Sequence, residues 1–254
     1  MTASAEISRR WCAYFRSNRL SAGFPVATDG YRLSRPERRA IERSIQQFQL
    51  GEGSKGKRLL RRGLAYSRTE HDAHFLRALY LFIQEEQRHS ACLLEFMRHH
   101  GIEPLQRQWV DSVFRFLRGL AGLELSLRVL VTAEIIAIPY YRALRNATNS
   151  PQLQEICSRI LADEVGHLRF QASMLSRLKP NRSAVMRRSL RVAHRAFLIV
   201  TAFVVWREHR QVFIAARCTM RGFLGSTWKQ MNAFLGNFPP GRHAQTGRVA
   251  ALRP

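Results

Sequence analysis

The chain is expected to be all-α, a four-helix bundle carrying additional C-terminal helices. Three observations lead there. Apolar residues recur at helical steps through four long stretches between residues 36 and 178. Each stretch interrupts its apolar stripe with an ionisable residue. The interruptions form a pattern that occurs twice: Glu52 then Glu85-Glu86-Gln87-Arg88-His89, and Glu134 then Asp163-Glu164-Val165-Gly166-His167. The gaps from Glu52 to Glu86 and from Glu134 to Glu164 are 34 and 30 residues, enough each time for a helix to end and an antiparallel neighbour to return alongside.

The first stretch, from Pro36, places Ile41, Ile45, Phe48, Glu52 and then Leu59 on one stripe, so Glu52 takes a core position. The second carries Leu79, Phe82, Glu86, His89, Leu93 and Phe96, with Glu86 and His89 one turn apart on the buried face. In the third, Leu127, Leu130, Glu134, Ala137, Tyr141 and Leu144 share a stripe, and Val129 to Ile138 is apolar nearly all round, which leaves Glu134 little water. The fourth runs Leu153, Ile156, Ile160, Glu164, His167 and Met174. Four carboxylates and two imidazoles thus face one core at matching heights.

Four anionic carboxylates buried together cost many kcal/mol unless protonated or neutralised, and two divalent cations would cancel their charge. Carboxylate oxygen with imidazole nitrogen and no thiolate suits iron or manganese better than structural zinc. One Glu from each of two helices, with Glu-x-x-His from each of two others, is the ligand set of ferritin-like bundles. On these residues, about 36 to 178, the chain resembles the ferritin-like di-iron-carboxylate superfamily, and the doubled layout is similar to the p-aminobenzoate N-oxygenase type. The resemblance implies that Glu86 and Glu164 bridge or chelate both metals, that His89 and His167 bind one each, and that Glu52 and Glu134 are terminal ligands. It further implies that Glu85 and Asp163 orient the histidine of the opposite motif. The expected cofactors are two Fe ions, or Fe with Mn, with O2 as co-substrate. The expected activity is a monooxygenase or N-oxygenase-like oxidation of a small-molecule or nucleic-acid-borne substrate, fed by an external electron donor.

A single Glu-x-x-His means little, since 14 Glu and 9 His in 254 residues give roughly 0.5 such pairs by chance. The force lies in the set. Glu52 is its weakest member, because Gly51, Gly53 and Gly56 surround it and each costs about 1 kcal/mol in a helix. Its competitor Glu42 is too far from Glu86 in sequence, and Glu124 is too far from Glu164. The run Gly51 to Lys57 imitates a phosphate-binding GxxxxGK loop but follows a helical run and lacks Ser or Thr after its lysine. Tyr141 lies two turns after Glu134 and reaches toward the cavity as a catalytic candidate, with simple core packing as its rival role. His209, and behind it His194, are candidates for an extra ligand, against a surface role for His209 in its Arg-Glu-His-Arg run.

Charge is the second unusual feature. Lys and Arg exceed Asp and Glu by 23, yet residues 71–178 carry 12 basic and 11 acidic groups, so the excess sits at the ends, +9 over 1–70 and +13 over 179–254. Only 4 of the 41 basic residues are lysine, which also fits a bias toward arginine codons. Cationic ends attract RNA, anionic lipid or an acidic partner. The organisation reads as a basic N-terminal segment over 1–34, the bundle over 35–178, basic amphipathic helices over 179–236 and a disordered tail over 237–254. The eleven apolar residues Ala196 to Trp206 are too few to span a bilayer, whereas the amphipathic stretch holding Phe213, Phe223, Trp228 and Phe234 suits an interface or a bundle cap. Four isolated cysteines and an N-terminus without an apolar run suggest a cytoplasmic protein, peripheral to the inner membrane if the ends bind lipid, and a homodimer is compatible with the reading. Ferritin-type iron storage and a metal-free helical binding module, with the acids paired to arginine, are the rival functions.

Overall fold

A computed structural model describes residues 3–21, 30–106, 122–178 and 183–237, and all regular structure among them is α-helical. In chain order the helices are α1 Ala3–Ser21, α2 Arg35–Glu52, α3 Lys57–Thr69, α4 Ala73–His99, α5 Leu123–Asn146, α6 Pro151–Arg177, α7 Ala184–Glu208, α8 Arg210–Ala215 and α9 Met220–Asn237. The expected tail, beyond residue 237, lies outside the described residues.

Local chemistry sets the starts of the central helices. Ser34 and Glu37 form a reciprocal capping box, with Pro36 in the first turn of α2. Asp72 accepts the Phe75 N–H at 3.1 Å and opens α4, while Ser150 accepts the Leu153 N–H at 3.3 Å and opens α6 just before Pro151. Pro139 sits inside α5, where it lacks the N–H that would bond the carbonyl one turn back, yet the helix continues through it.

The first stripe is divided between two helices. α2 ends on Glu52, Gly53 caps it, and Leu59 belongs to α3. Gly56 turns the chain with φ of 57°, and a Cβ there would meet Ile83 Cδ1 at 2.5 Å, so this glycine answers both a left-handed backbone and the close approach of α4.

α5 and α6 form the tightest pair; α6 also packs on α4, and α4 on α2. Side chains link α2 back to α5: Phe48 stacks on Tyr140 with ring centroids 3.4 Å apart, and Ser44 Oγ lies 2.7 Å from the Tyr140 hydroxyl. Glu37 anchors the start of α2 to the α5–α6 turn by accepting from Thr148 Oγ1 at 2.6 Å and Asn149 N–H at 2.8 Å. The N-terminal segment contains a helix that the sequence reading did not delimit. α1 buries Cys12 and Phe15 against α4, and Ser8 and Arg177 both donate to Asp72, at 2.8 and 2.6 Å, tying α1, α4 and the end of α6 together.

The core has two apolar layers. One includes Ile41, Ile45, Leu93, Tyr141, Ile156 and Ile160; the other includes Phe15, Leu79, Phe82, Leu127, Phe170 and Met174. On α4 and α6 the Glu-x-x-His pairs fall between the layers, Glu86 and His89 after Phe82 and before Leu93, Glu164 and His167 after Ile160 and before Phe170.

Candidate metal centre

Each of the six expected ligands comes to this level from its own turn of helix: Glu52 from the last residue of α2, Glu86 and His89 from α4, Glu134 from α5, Glu164 and His167 from α6. Their donor atoms gather into two overlapping groups. Glu86, Glu134, Glu164 and His167 can each bring one donor atom within 4.8 Å of the others, and so can Glu52, His89 and Glu164. Glu164 is common to both groups. The cluster could hold a metal ion on either side of that carboxylate.

The imidazoles are oriented from behind. His167 Nε2 lies 3.0 Å from Glu85 Oε2, and His89 Nε2 lies 3.0 Å from Asp163 Oδ2, so the acid preceding each ligand glutamate holds the histidine of the opposite motif. Glu85 is itself held by Arg88. With Nε2 donating to a carboxylate, each ring in its neutral form presents the Nδ1 lone pair to the centre. Both Nδ1 atoms, Glu86 Oε1 and both oxygens of Glu164 are buried and make no hydrogen bond of good geometry, although His167 Nδ1 lies 2.8 Å from Glu86 Oε1 and 3.4 Å from Glu164 Oε2. Buried polar atoms are almost always well satisfied, so five that face one another without good hydrogen bonds call for a cation or protons among them. All five are metal-donor atoms. The set fits divalent cations with a preference for oxygen and imidazole.

Electrostatics point the same way. Burial, reinforced by the charge of Glu86, holds Glu52 well above the usual carboxylate range; burial and Glu164 do the same to Glu134. Burial and Glu134 raise Glu86, and burial raises Glu164 to about 7. Burial opposes charge on His167, but Glu86, Glu164 and Glu85 outweigh it and lift its pKa well above the ordinary histidine value. Burial and mutual repulsion thus favour protonated carboxyls within the centre. Among the described residues no arginine pairs with Glu86 or Glu164, whereas their buried neighbour Glu85 pairs with Arg88. Glu42 and Glu124, the competing acids, pair with Arg38 and Arg128 one turn along their own helices.

Around the cluster, Tyr141 donates its hydroxyl to Glu52 Oε1 at 2.7 Å. At the opposite end Gln171 Nε2 donates to Glu134 Oε1 at 2.6 Å. Gln171 carries no charge to mark it in the sequence, although it lies one turn beyond His167 on the same buried face. Tyr14 of α1 is likewise unmarked by charge. A Cβ on Gly166 would stand 2.1 Å from the Tyr14 hydroxyl, so that glycine inside the second motif lets α1 lie directly against α6 beside His167. Phe82 meets the His167 ring edge-on at 4.9 Å and completes an apolar wall.

Neither candidate extra histidine joins the cluster, and His209 is buried, contrary to the surface role weighed for it. His209 Nδ1 lies 2.8 Å from Ser44 Oγ, and its ring packs on Phe48 and Tyr140. His194 Nε2 lies 3.0 Å from Thr132 Oγ1. Burial lowers His209 to about 3 and His194 to about 4, so both are neutral in the fold. The Gly51 to Lys57 run ends one helix and starts the next with no strand before it, so its likeness to a phosphate loop does not extend to structure. The chain matches no protein-family model, no curated protein and no solved structure in comparison with each.

Proposed function

We propose that the cluster is the di-iron, or mixed iron and manganese, centre of an oxygenase built on a ferritin-like bundle, oxidising an organic substrate with O2. One observation carries the reading: from four helices, five side chains gather around the Glu164 carboxylate, with both histidine Nε2 atoms held from behind by an acid and both Nδ1 atoms buried without a hydrogen bond of good geometry. In this reading His89 and His167 would each hold an ion through Nδ1, with carboxylate oxygens from the four glutamates. Glu164 belongs to both donor groups, and Glu86 belongs to the one that holds His167. Glu52 and Glu134 close the ends. Two such ions, when bound, supply the electrons for reduction of O2.

The chain's own residues do the rest. Tyr141 fixes the Glu52 carboxylate and keeps a hydroxyl proton at the ligand's edge, which is the catalytic role assigned to it. Gln171 fixes Glu134 through an amide hydrogen bond. Phe15, Phe82 and Phe170 exclude water from the His167 side. An external donor must restore the electrons consumed at each turnover. Iron storage would use the same ligands, but residues 183–237 carry nine basic side chains against Glu208 alone, a poor lining for an iron-filled shell.

The experiment is anaerobic titration with Fe(II) followed by O2, read together with native mass. The oxygenase reading predicts saturation at about two iron per chain, rapid O2 consumption and a small assembly. A large shell that continues to accumulate iron would overturn it.

A further inference from the structure

We propose that the outward face of α7 docks the protein onto anionic lipid, the helix lying in the plane of the bilayer interface. The proposal does not depend on the metal centre.

α7 is 25 residues long, and among the described residues it is the one helix long and apolar enough to cross a membrane, with a mean hydropathy of 1.4 over its apolar window. It exceeds the eleven-residue run that the sequence reading judged too short. Its two faces differ. His194, Leu198, Thr201, Ala202 and Val205 are buried, and His194 is bonded to Thr132 of α5. A helix fixed along one side to a bundle does not cross a bilayer alone. On the opposite side Val192, Ala196, Ile199, Val200 and Phe203 follow one another at steps of three, four and one and are all exposed, Val200 by 63% and Val192 by 60%.

That stripe is on the order of 400 Å², the size of apolar patches that mark function on monomers. It contains no charge. Arg188 precedes it by one turn and Arg207 follows it by one turn, both exposed on the same side of the helix, with exposed Arg191 on its flank. Arg195 lies along the border, its guanidinium 5.1 Å from the ring of Trp228 on α9, and Trp228 is itself 37% exposed. An apolar stripe with arginines at both ends and a tryptophan at its margin is the pattern of a helix seated in a lipid headgroup layer.

Charge selects the occupant. A second copy of this face would set arginine clusters against arginine clusters, and the patch is about half of the ~800 Å² per partner of a standard protein interface. Anionic headgroups answer the arginines, and acyl chains answer the stripe.

The test is flotation of the full chain with vesicles of pure phosphatidylcholine and with vesicles carrying about 30 mol% phosphatidylglycerol. Wild type should float with the anionic vesicles and stay behind with the neutral ones. Arg188→Gln with Arg191→Gln should weaken binding about 30-fold, from about fivefold per arginine. Val200→Ser with Phe203→Ser should weaken it at least about 10-fold. These positions are exposed, so helicity and thermal midpoint should stay at wild-type values, and variants that fail this check are replaced by Val192→Ser with Ile199→Ser. No flotation, equal flotation with both vesicles, or variants that float like wild type would each overturn the proposal. So would a dimer that Val200→Ser with Phe203→Ser dissolves, or an RNA shift that these variants abolish, if flotation is absent.

Discussion

Glu164→Gln separates the cost of the cluster from its use. Glu164 is fully buried and shared between both donor groups, with His167 Nδ1 3.4 Å from one of its oxygens. Burial raises its pKa from the usual 4.5 to about 7. Each unit is about 1.4 kcal/mol of differential interaction between the two protonation states. A carboxyl whose pKa is raised in the fold costs nothing below the unfolded value of 4.5; the penalty grows as pH rises from there to the folded value and is complete above it. In metal-stripped protein the ionised form should therefore cost about 3 kcal/mol at pH 8 and under about 1 kcal/mol at pH 5. Glutamine keeps the shape and removes the charge. The stripped variant should be more stable than stripped wild type by about 3 kcal/mol at pH 8, a rise of about 6–12 °C in thermal midpoint for a chain of this size, and nearly equal to it at pH 5. Urea unfolding in the presence of chelator at both pH values measures this. Added metal should reverse the order, because wild type gains binding energy and the variant loses its central ligand. If the stripped variant is less stable than wild type at pH 8, Glu164 is a structural residue and the argument from buried charge fails.

Four further outcomes follow from the same geometry. Glu85→Gln and Asp163→Asn, which leave every proposed ligand in place but weaken the support behind His167 and His89, should each lower metal affinity by about 10- to 100-fold in a chelator competition; unchanged affinity would remove their orienting role. Tyr141→Phe should leave metal content within error and slow the oxidation of bound Fe(II) by O2, whereas loss of metal would make the hydroxyl a determinant of binding alone. His194 and His209 are held neutral, so their stabilisation is complete above about pH 6.5 and is lost as pH falls toward 4 and 3, up to about 3 and 5 kcal/mol respectively. His209→Asn should flatten that acid slope in urea unfolding, and an unaltered slope would contradict the assignment. Gly166→Ala should cost about 1–3 kcal/mol by driving a methyl into Tyr14, with part of the loss recovered when Tyr14 is shortened to leucine; no change in stability would show that α1 can move aside.

The helical periodicity of the chain exposed its fold class because four apolar stripes hold register over many turns. The same periodicity exposed the cluster, since a carboxylate on an apolar stripe is conspicuous. What it blurred has local causes. The stripe through Glu52 and Leu59 has one spacing but two helices, because Gly53 and Gly56 break the backbone without disturbing the phase. α1 is hard to see in the sequence because its inner side is short, three aromatics and a cysteine, Trp11, Cys12, Tyr14 and Phe15, in an otherwise polar and basic segment. His209 looked like a surface residue among charged neighbours; it is buried because the junction between α7 and α8 turns it inward onto Ser44. Gln171 was legible by position, one turn after His167, but an amide on a stripe attracts less attention than a charge.

Metal content of the intact chain, expressed with iron and washed without chelator, tests the central claim most directly, with Glu86→Ala as its comparison. The account predicts about two iron, or one iron and one manganese, per wild-type chain and a large loss in the variant. Wild-type protein that folds and carries almost no metal, or carries as much as Glu86→Ala does, would contradict it.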